Sequence, residues 1–209
     1  MKITSKIIAI GIILAFNSCG NASKNEETKD PVTTNNPIEE SKNYSISTSE
    51  SVVNWSGKGV GHGHKGTINV KSSSFSMNND IISDFEISID MKSIIIADIA
   101  DPSENLKLSN HFKNDDFFGV DKHPTSTLKI IDASDLNKVK ANMTIKGVTQ
   151  EITFPVTITK QNDKLVLTTK IQIDRTKFGI TYSSGNFFEN LGDYLIDDII
   201  DLNITIVGN

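Results

Sequence analysis

The chain has 209 residues, 22% of them charged, with a formal net charge of −5 and a single cysteine. This acidic balance argues against nucleic acid as a partner, because phosphate binding relies on clustered Lys and Arg. The lone cysteine excludes a disulfide within the chain. The sequence also has no internal repeat, no Gly-rich phosphate loop and no Cys-x-x-Cys metal motif, so it gives no support to the functions that depend on them.

The N-terminal residues have the pattern of a secretory signal. The apolar run Ile7–Phe16 follows Lys2 and Lys6 and is too short to cross a hydrocarbon core of ~30 Å. Residues 1–18 are therefore predicted to be a signal peptide. Cys19 comes just after the run, where a bacterial lipoprotein signal peptidase would cut. Its acylation would hold the protein at a membrane of the bacterial envelope, facing the periplasm or on the outer membrane; the alternative is an ordinary signal peptide with a chance cysteine.

Residues 19–43 are predicted to be the lipidated cysteine and a flexible tether. From Gly20 to Asn43 the composition is mainly Asn, Thr, Glu, Lys and Ser, with two prolines and no aromatic residue. Such a segment has almost nothing apolar to bury. Residues 44–209 remain, and their number is normal for one domain with a core of its own.

Within this domain the dominant hydrophobic period is two. Apolar and polar residues alternate in "DFEISIDM", Asp84–Met91, and in "EITFPVTI", Glu151–Ile158, which predicts half-buried strands. Gly147 in "TIKGVTQEIT" predicts a hairpin turn between two of them. About eight strands with one wet face predict antiparallel pairing. The other alternating segments are Val53–Trp55, Ile68–Val70, Leu128–Ile130, Ala141–Ile145, Leu165–Ile173 and Leu202–Ile206.

One helix interrupts the strands. In "DPSENLKLSNHF", Asp101 suits the N-cap, Pro102 the first helical position and Glu104 the first turn. Leu108 and Phe112 would then share a face. The fold class is therefore all-β with one or two short helices, in a sheet that closes into a barrel or packs as a sandwich. An eight-stranded barrel holds either packed side chains or one small ligand, and the sequence leaves those two open.

The segment "NHFKNDDFFGVDKHP", Asn110–Pro124, is unusual because it places Phe112, Phe117 and Phe118 among polar residues. It fits neither a helical nor a strand period. The rings are predicted to contact a ligand at a barrel mouth or to plug the barrel end as core. Because neighbours in an extended chain face opposite ways, one of Phe117 and Phe118 is expected to plug while the other lines.

Several motifs together resemble the YceI-like family of bacterial exported proteins. They are "NWSGKGVGHGHKGTI", "FEISIDMKSI", "HFKNDDFFGVDKHPTSTLKI", "MTIKGVTQEITFPVTI", "DRTKFGI" and "DDIIDLNITIVG", in that order. The resemblance covers nearly all of residues 44–208. It implies a lipocalin-like antiparallel β-barrel of about eight strands with a helical excursion. It also implies that the interior carries a long amphiphilic lipid, a polyisoprenoid or a fatty-acid derivative such as a fatty amide.

Under this interpretation the protein is a binding protein and not an enzyme, for sequestration or transport of that lipid. Its partners would be the lipid and, through acylated Cys19, a membrane, with a homodimer left open; no cofactor beyond the bound lipid is expected. The predicted ligand contacts are Trp55, His64, Phe85, Leu106, Leu108, His111, Phe112, Phe117, Phe118, Arg175 and Phe178.

Two of these residues carry an open alternative. Trp55, the only tryptophan, suits packing as well as ligand contact. Arg175, the only arginine, would be a structural clamp on carbonyls or a buried carboxylate, or else would bind an anionic head group.

Two other functions compete with lipid binding. His62 and His64 would share one face of a strand and, with His111, would bind zinc or copper in a metal-binding or stress-response module. The other competitor is a fully packed barrel that serves only as a protein-interaction domain.

Overall fold

A computed structural model describes residues 41–78 and 81–209 of the chain. The predicted signal peptide, Cys19 and most of the predicted tether lie outside the described residues. Within them, the strands are β1 Ser41–Ser45, β2 Val52–Gly59, β3 His62–Asn78, β4 Ile81–Asp90, β5 Ile95–Ile96, β6 Thr125–Asp132, β7 Val139–Ile145, β8 Val148–Phe154, β9 Thr157–Gln161, β10 Lys164–Asp174 and β11 Ile196–Gly208. The helix α1 spans Pro102–Lys113, and short 3-10 helices span Met91–Ser93, Arg175–Phe178 and Gly192–Tyr194.

The strands form one antiparallel sheet. Their order is β8-β7-β6-β4-β3-β2-β11-β10-β9, while β1 and β5 pair with β3 outside this path. All the long strands were predicted from their alternation; β1 and β5 are additional short strands. Ser41–Asn43 belong to β1, so the predicted boundary between tether and domain at residue 44 lies inside a strand.

One predicted strand is divided in two. The apolar alternation of Glu151–Ile158 predicted a single strand, but β8 ends at Phe154 and β9 begins at Thr157. The reason is Pro155, which has no N–H to donate to a ladder. Phe154 is buried and Val156 and Ile158 half-buried, so the inward face continues across the break.

This break curls the sheet. β8 and β9 stand at opposite ends of the hydrogen-bonded path, yet only Pro155 and Val156 separate them, and the three Cα steps from Phe154 to Thr157 span at most about 11 Å. The two edges therefore meet at this corner, where Thr169 Oγ1 donates to the carbonyl of Pro155 at 2.7 Å. The sheet therefore forms a lipocalin-like antiparallel barrel. Among the described residues, no hydrogen-bonded ladder joins β8 to β10.

The two ends of the barrel differ. At the closed end, Phe75 stacks on Tyr44 with 4.9 Å between ring centroids and contacts Phe85 at 5.9 Å. Phe154, Leu167 and Ile206 are also buried in strands that run there. The open end is formed by the β2–β3 hairpin, α1 and the segment between β10 and β11.

The local predictions for turn and helix are confirmed. Lys146 and Gly147, with φ of 51° and 77°, connect β7 and β8, as a two-residue hairpin with positive φ at both positions requires. The Asp101 side chain accepts from the backbone N–H groups of Ser103 and Glu104, so it caps α1. Asn105 then holds the helix on the barrel by donating to the carbonyls of Ile96 at 2.9 Å and Ile99 at 3.0 Å.

Candidate functional site

A cavity of about 200 Å³ lies inside the open end of the barrel. One water molecule needs ~10–15 Å³ by the same kind of measure, so this space holds far more than a packing defect. The interior is therefore not a fully packed core, which was the alternative that the sequence left open.

The wall of the cavity is apolar and comes mainly from seven strands, β2, β3, β4, β6, β7, β10 and β11. Inward-facing positions of alternating strands supply it, because residues i and i+2 line the same face. The aliphatic and methionine side chains that line it are Val53, Ile68, Ile87, Ile89, Met91, Ile94, Leu108, Leu128, Met143, Ile145, Ile173, Ile196, Ile200, Leu202 and Ile204.

Polar lining residues gather at the β2–β3 hairpin. Lys58, His62 and Gly63 are exposed and His64 is half-buried, and the exposed Asp197 of β11 also lines the cavity. Because these residues contact both the cavity and solvent, the entrance lies between the hairpin and β11. The arrangement gives the cavity an apolar interior and a polar rim.

The two hairpin histidines are held differently. His62 Nδ1 lies 2.8 Å from the carbonyl of Val60, while His64 Nδ1 lies 3.2 Å from Asp98 Oδ2. Burial raises the pKa of Asp98, but the backbone N–H of Lys65 and the His64 ring outweigh it, so this pKa lies below its ordinary value. His64 is thus fixed at the entrance by a carboxylate.

No group of three His, Cys, Asp or Glu side chains within residues 41–78 and 81–209 is placed to hold a metal ion. His62 and His64 are neighbours, with ring centroids 6.3 Å apart. His111, the third predicted ligand, instead has Nδ1 3.6 Å from Asp116 Oδ2. The metal-binding alternative therefore lacks a ligand set in the described part of the chain.

Phe112, Phe117 and Phe118 form one cluster that covers part of the open end of the barrel. After α1 the chain turns sharply, and the backbone N–H groups of Phe117 and Phe118 donate to the carbonyls of Asn114 and Phe112, both at 3.1 Å. Phe117 lies 4.8 Å from Phe112 and 5.0 Å from Phe118 between ring centroids. All three rings line the cavity. The prediction that one of Phe117 and Phe118 plugs while the other lines assumed an extended chain, but the segment is a turn. Both rings line the cavity, and Phe117 is also buried in the core, whereas Phe118 is half-buried.

Trp55 and His111 also line the cavity. The Trp55 and Phe112 rings are nearly perpendicular, with 5.4 Å between their centroids, so Trp55 both packs against Phe112 and lines the cavity. The His111 ring lies 4.5 Å from Tyr182 and 5.6 Å from Phe117. With Leu108 on the same helix, His111 and Phe112 form the inner face of α1.

Arg175 has the geometry of a structural clamp. Its side chain is 1% exposed and donates to the carbonyls of Asp197 at 3.1 Å, Ile180 at 2.9 Å and Ile196 at 2.9 Å. Nη2 also lies 3.3 Å from Asp198 Oδ1. Burial lowers the pKa of Arg175, and nearby carboxylates, Asp198 above all, oppose this shift. The residue borders the cavity, but its donors are directed to the protein.

Three predicted contacts lie away from the main cavity. Leu106 is 60% exposed, because it stands two residues from Leu108 and so on the outer side of α1. Phe85 belongs to the core near the closed end and lines a separate cavity of about 20 Å³. Phe178 is buried in the core but is not part of the main cavity wall. The sequence has no feature that distinguishes these Phe and Leu positions from the Phe and Leu positions that line the main cavity.

Sequence reasoning also missed some lining residues. Met91, Ile94, Ser126 and Met143 line the cavity but were not singled out, since the analysis concentrated on aromatic and charged side chains. Ser126 and Met143 lie at inward positions of alternating strands, and this position in the pattern is the sequence signal that could have identified them. Met91 begins a 3-10 helix and Ile94 follows its end, and the sequence did not predict the position of this helix.

Comparison with known proteins identifies the family. The family model for the YceI-like domain matches residues 44–208. The chain belongs to the YceI-like family. No curated protein sequence gives a significant match to this YceI-like chain.

Two solved structures share the YceI-like fold. BcnA from Burkholderia cenocepacia is 19% identical, with a TM-score of 0.55, over 78% of this chain and 99% of that chain. A polyisoprenoid binding domain from Saccharophagus degradans, implicated in plant cell wall breakdown, is 13% identical, with a TM-score of 0.57, over 79% of this chain and 97% of that chain. At these identities the likeness shows the fold alone. Among the described residues of the YceI-like chain, none of the helices has the length and apolar character needed to cross a membrane.

Proposed function

We propose that this YceI-like chain is an exported, membrane-anchored protein that binds a long-chain amphiphilic lipid, a polyisoprenoid or a fatty-acid derivative, for sequestration or transport. The observation that carries the proposal is the cavity of about 200 Å³ with an apolar wall and a polar rim. A binding role, and not catalysis, suits a wall made almost wholly of hydrocarbon side chains.

The physical reason is the distribution of polarity. Burial of an alkyl or isoprenoid chain lowers the free energy by about 25 cal/mol for each Å² of apolar surface removed from water. The apolar side chains of the cavity wall, Val53 and Ile204 among them, offer a surface for such burial. A polar head group loses free energy if it is buried without partners. Lys58, His62 and His64 at the entrance would let any charged part of the head group stay near water while the apolar chain is buried.

The comparison supports the same ligand class. The Saccharophagus degradans domain with this fold is a polyisoprenoid binding domain. Extending that ligand to this chain is our inference. The cellular location rests on the sequence, through the predicted signal peptide and acylated Cys19.

Native mass spectrometry of protein purified from its own cell envelope tests the proposal. We expect an organic mass increment that solvent extraction removes. Phe118→Asp should greatly lower the occupied fraction, because a carboxylate against an apolar chain is unfavourable. Phe188→Asp is the matched control, since Phe188 is 51% exposed and is not part of the cavity wall.

Two results would contradict the proposal. One is native protein without any organic increment. The other is equal lipid occupancy in the wild type and the Phe118→Asp variant, with both proteins folded by circular dichroism. A mass increment that is removed by a chelator and not by solvent would favour the metal-binding alternative.

A further inference from the structure

Two polar side chains occupy inward positions of the otherwise apolar wall. Trp55 follows Val53 by two residues on β2, and Ser126 precedes Leu128 by two on β6. They are 8% and 7% exposed, and both line the cavity. Trp55 Nε1 and Ser126 Oγ are buried, and neither has a hydrogen-bond partner among the described residues.

The Trp55 indole has little freedom to find a partner within the protein. One side of the ring lies over Gly66, where an added Cβ would be 3.0 Å from Trp55 Cζ2. The indole also packs nearly perpendicular to the Phe112 ring, with 5.4 Å between the ring centroids. A buried donor without an acceptor destabilises the state that contains it, so a partner from outside the chain is expected to satisfy Nε1.

The chemistry of the two groups defines what that partner must be. An indole N–H only donates, whereas a serine hydroxyl both donates and accepts. The ligand must therefore present an acceptor, such as an oxygen, to Trp55 Nε1, whereas Ser126 Oγ can pair with either a donor or an acceptor. His111 Nε2, on a lining residue of α1, is likewise buried and has no hydrogen-bond partner in the described part of the chain, and it adds capacity for either role.

The surroundings favour an uncharged acceptor. An ionised carboxylate or phosphate is costly in an apolar site without a cation to pair with. Arg175, a buried cation of the wall, donates to three carbonyls and lies beside Asp198. Lys58 is at the exposed rim.

We propose that Trp55 Nε1 and Ser126 Oγ form polar subsites inside the cavity that bind an uncharged oxygen, a hydroxyl or carbonyl, of the lipid. This rests on the proposed function, because it assigns a chemical class to the ligand of the same cavity. A ligand of this class is an alcohol, ester or amide of a long chain, in preference to an ionised acid.

Displacement of N-phenylnaphthylamine from the delipidated protein tests the proposal with three chain-matched probes: dodecanol, dodecane delivered from cyclodextrin, and dodecanoate. In the wild type we expect dodecanol to bind more tightly than both others. Trp55→Phe and Ser126→Ala should each weaken dodecanol about three- to tenfold and leave dodecane within about twofold. Phe117→Leu is the control, because it removes aromatic lining without a polar atom and should weaken dodecanol and dodecane alike.

A second measurement separates the N–H from the shape of the indole. Trp55 is the only tryptophan, so replacing tryptophan by benzothienylalanine throughout the chain changes this N–H to sulfur and keeps the ring shape. The same selective loss of dodecanol binding is expected, even if Trp55→Phe fails to fold.

The outcomes distinguish this inference from the proposed function. Equal effects on dodecanol and dodecane, no effect on either, or tighter binding of dodecanoate than of dodecanol would each overturn the polar subsites while lipid binding stands. If none of the three probes displaces the dye from wild-type protein, lipid binding itself is contradicted.

Discussion

Arg175 connects two chain segments at the open end of the barrel. It begins the 3-10 helix Arg175–Phe178 after β10, and its guanidinium donates to carbonyls at the start of β11 and at Ile180. Lysine would place one compact ammonium where a planar fork now reaches three directions. The geometry therefore explains why arginine stands here in a chain that otherwise uses lysine.

Arg175→Ala should destabilise the protein strongly. Removing the guanidinium leaves three carbonyls without this donor and Asp198 with only its hydrogen bond from Asn186 Nδ2, at a cost of about 3 to 5 kcal/mol. For a domain of this size the melting temperature should fall by roughly 6 to 20 °C, measured after delipidation. Arg175→Lys should lie between the alanine variant and the wild type, and Lys170→Ala, at an exposed position on β10, should change little.

The opposite pattern would reassign the residue. If delipidated Arg175→Ala melts with the wild type but no longer retains lipid, then Arg175 binds the ligand's head group and is not a clamp. The buried carbonyl contacts argue against that outcome.

At the scale of elements, the strands divide the barrel interior into two cavities. The main cavity and the smaller one of about 20 Å³ share Ile87, Leu128 and Ile204 in their walls. These side chains come from β4, β6 and β11 and stand between the entrance and the closed end. Their bulk would limit how deep the chain of the proposed lipid reaches.

The Leu128→Ala variant should retain lipids with longer chains than the wild type does, because the substitution removes a side chain that separates the two cavities. Native mass spectrometry after exposure to a mixture of fatty alcohols should show a shift toward longer chains. Leu167→Ala is the matched control, since Leu167 lines only the smaller cavity. Both variants should lose about 2 to 5 kcal/mol of unfolding free energy.

An identical chain-length distribution in Leu128→Ala and wild type would show that the two cavities stay separate. A shift in Leu167→Ala alone would place the end of the bound chain elsewhere. The comparison requires both variants to be folded, which thermal melts followed by circular dichroism establish.

At the scale of the whole molecule, the predicted anchor and the barrel are separate features of the chain. Cys19 lies outside the described residues, and the barrel begins at Ser41 with β1. Acylation of Cys19, the envelope location and the homodimer stay predictions.

Cys19→Ser should release the protein from the membrane pellet into the soluble fraction. Its melting temperature should equal that of the wild type, because the predicted tether has little apolar surface to bury. Fractionation of envelopes and thermal melts measure these two properties, with Ser23→Ala as the control. A Cys19→Ser variant that stays in the pellet would contradict the lipoprotein prediction.

The sequence by itself determined the local structure of the barrel. Alternation of period two marks the long strands, Asp101 and Pro102 mark the start of α1, and Gly147 marks a hairpin, because each depends on residues close together in the chain. The motifs from Asn54 to Gly208 also gave the family, whose model matches residues 44–208.

Only the tertiary structure decided which of these residues surround one space. Phe85, Phe112, Phe117 and Phe178 are alike in sequence, but Phe112 and Phe117 line the main cavity and the other two do not. That difference depends on strand register, on the turn after α1 and on the crossing at Pro155, which join residues far apart in the chain. The volume left between packed side chains is a sum over all of them, so alternation alone does not distinguish a filled barrel from one with a cavity.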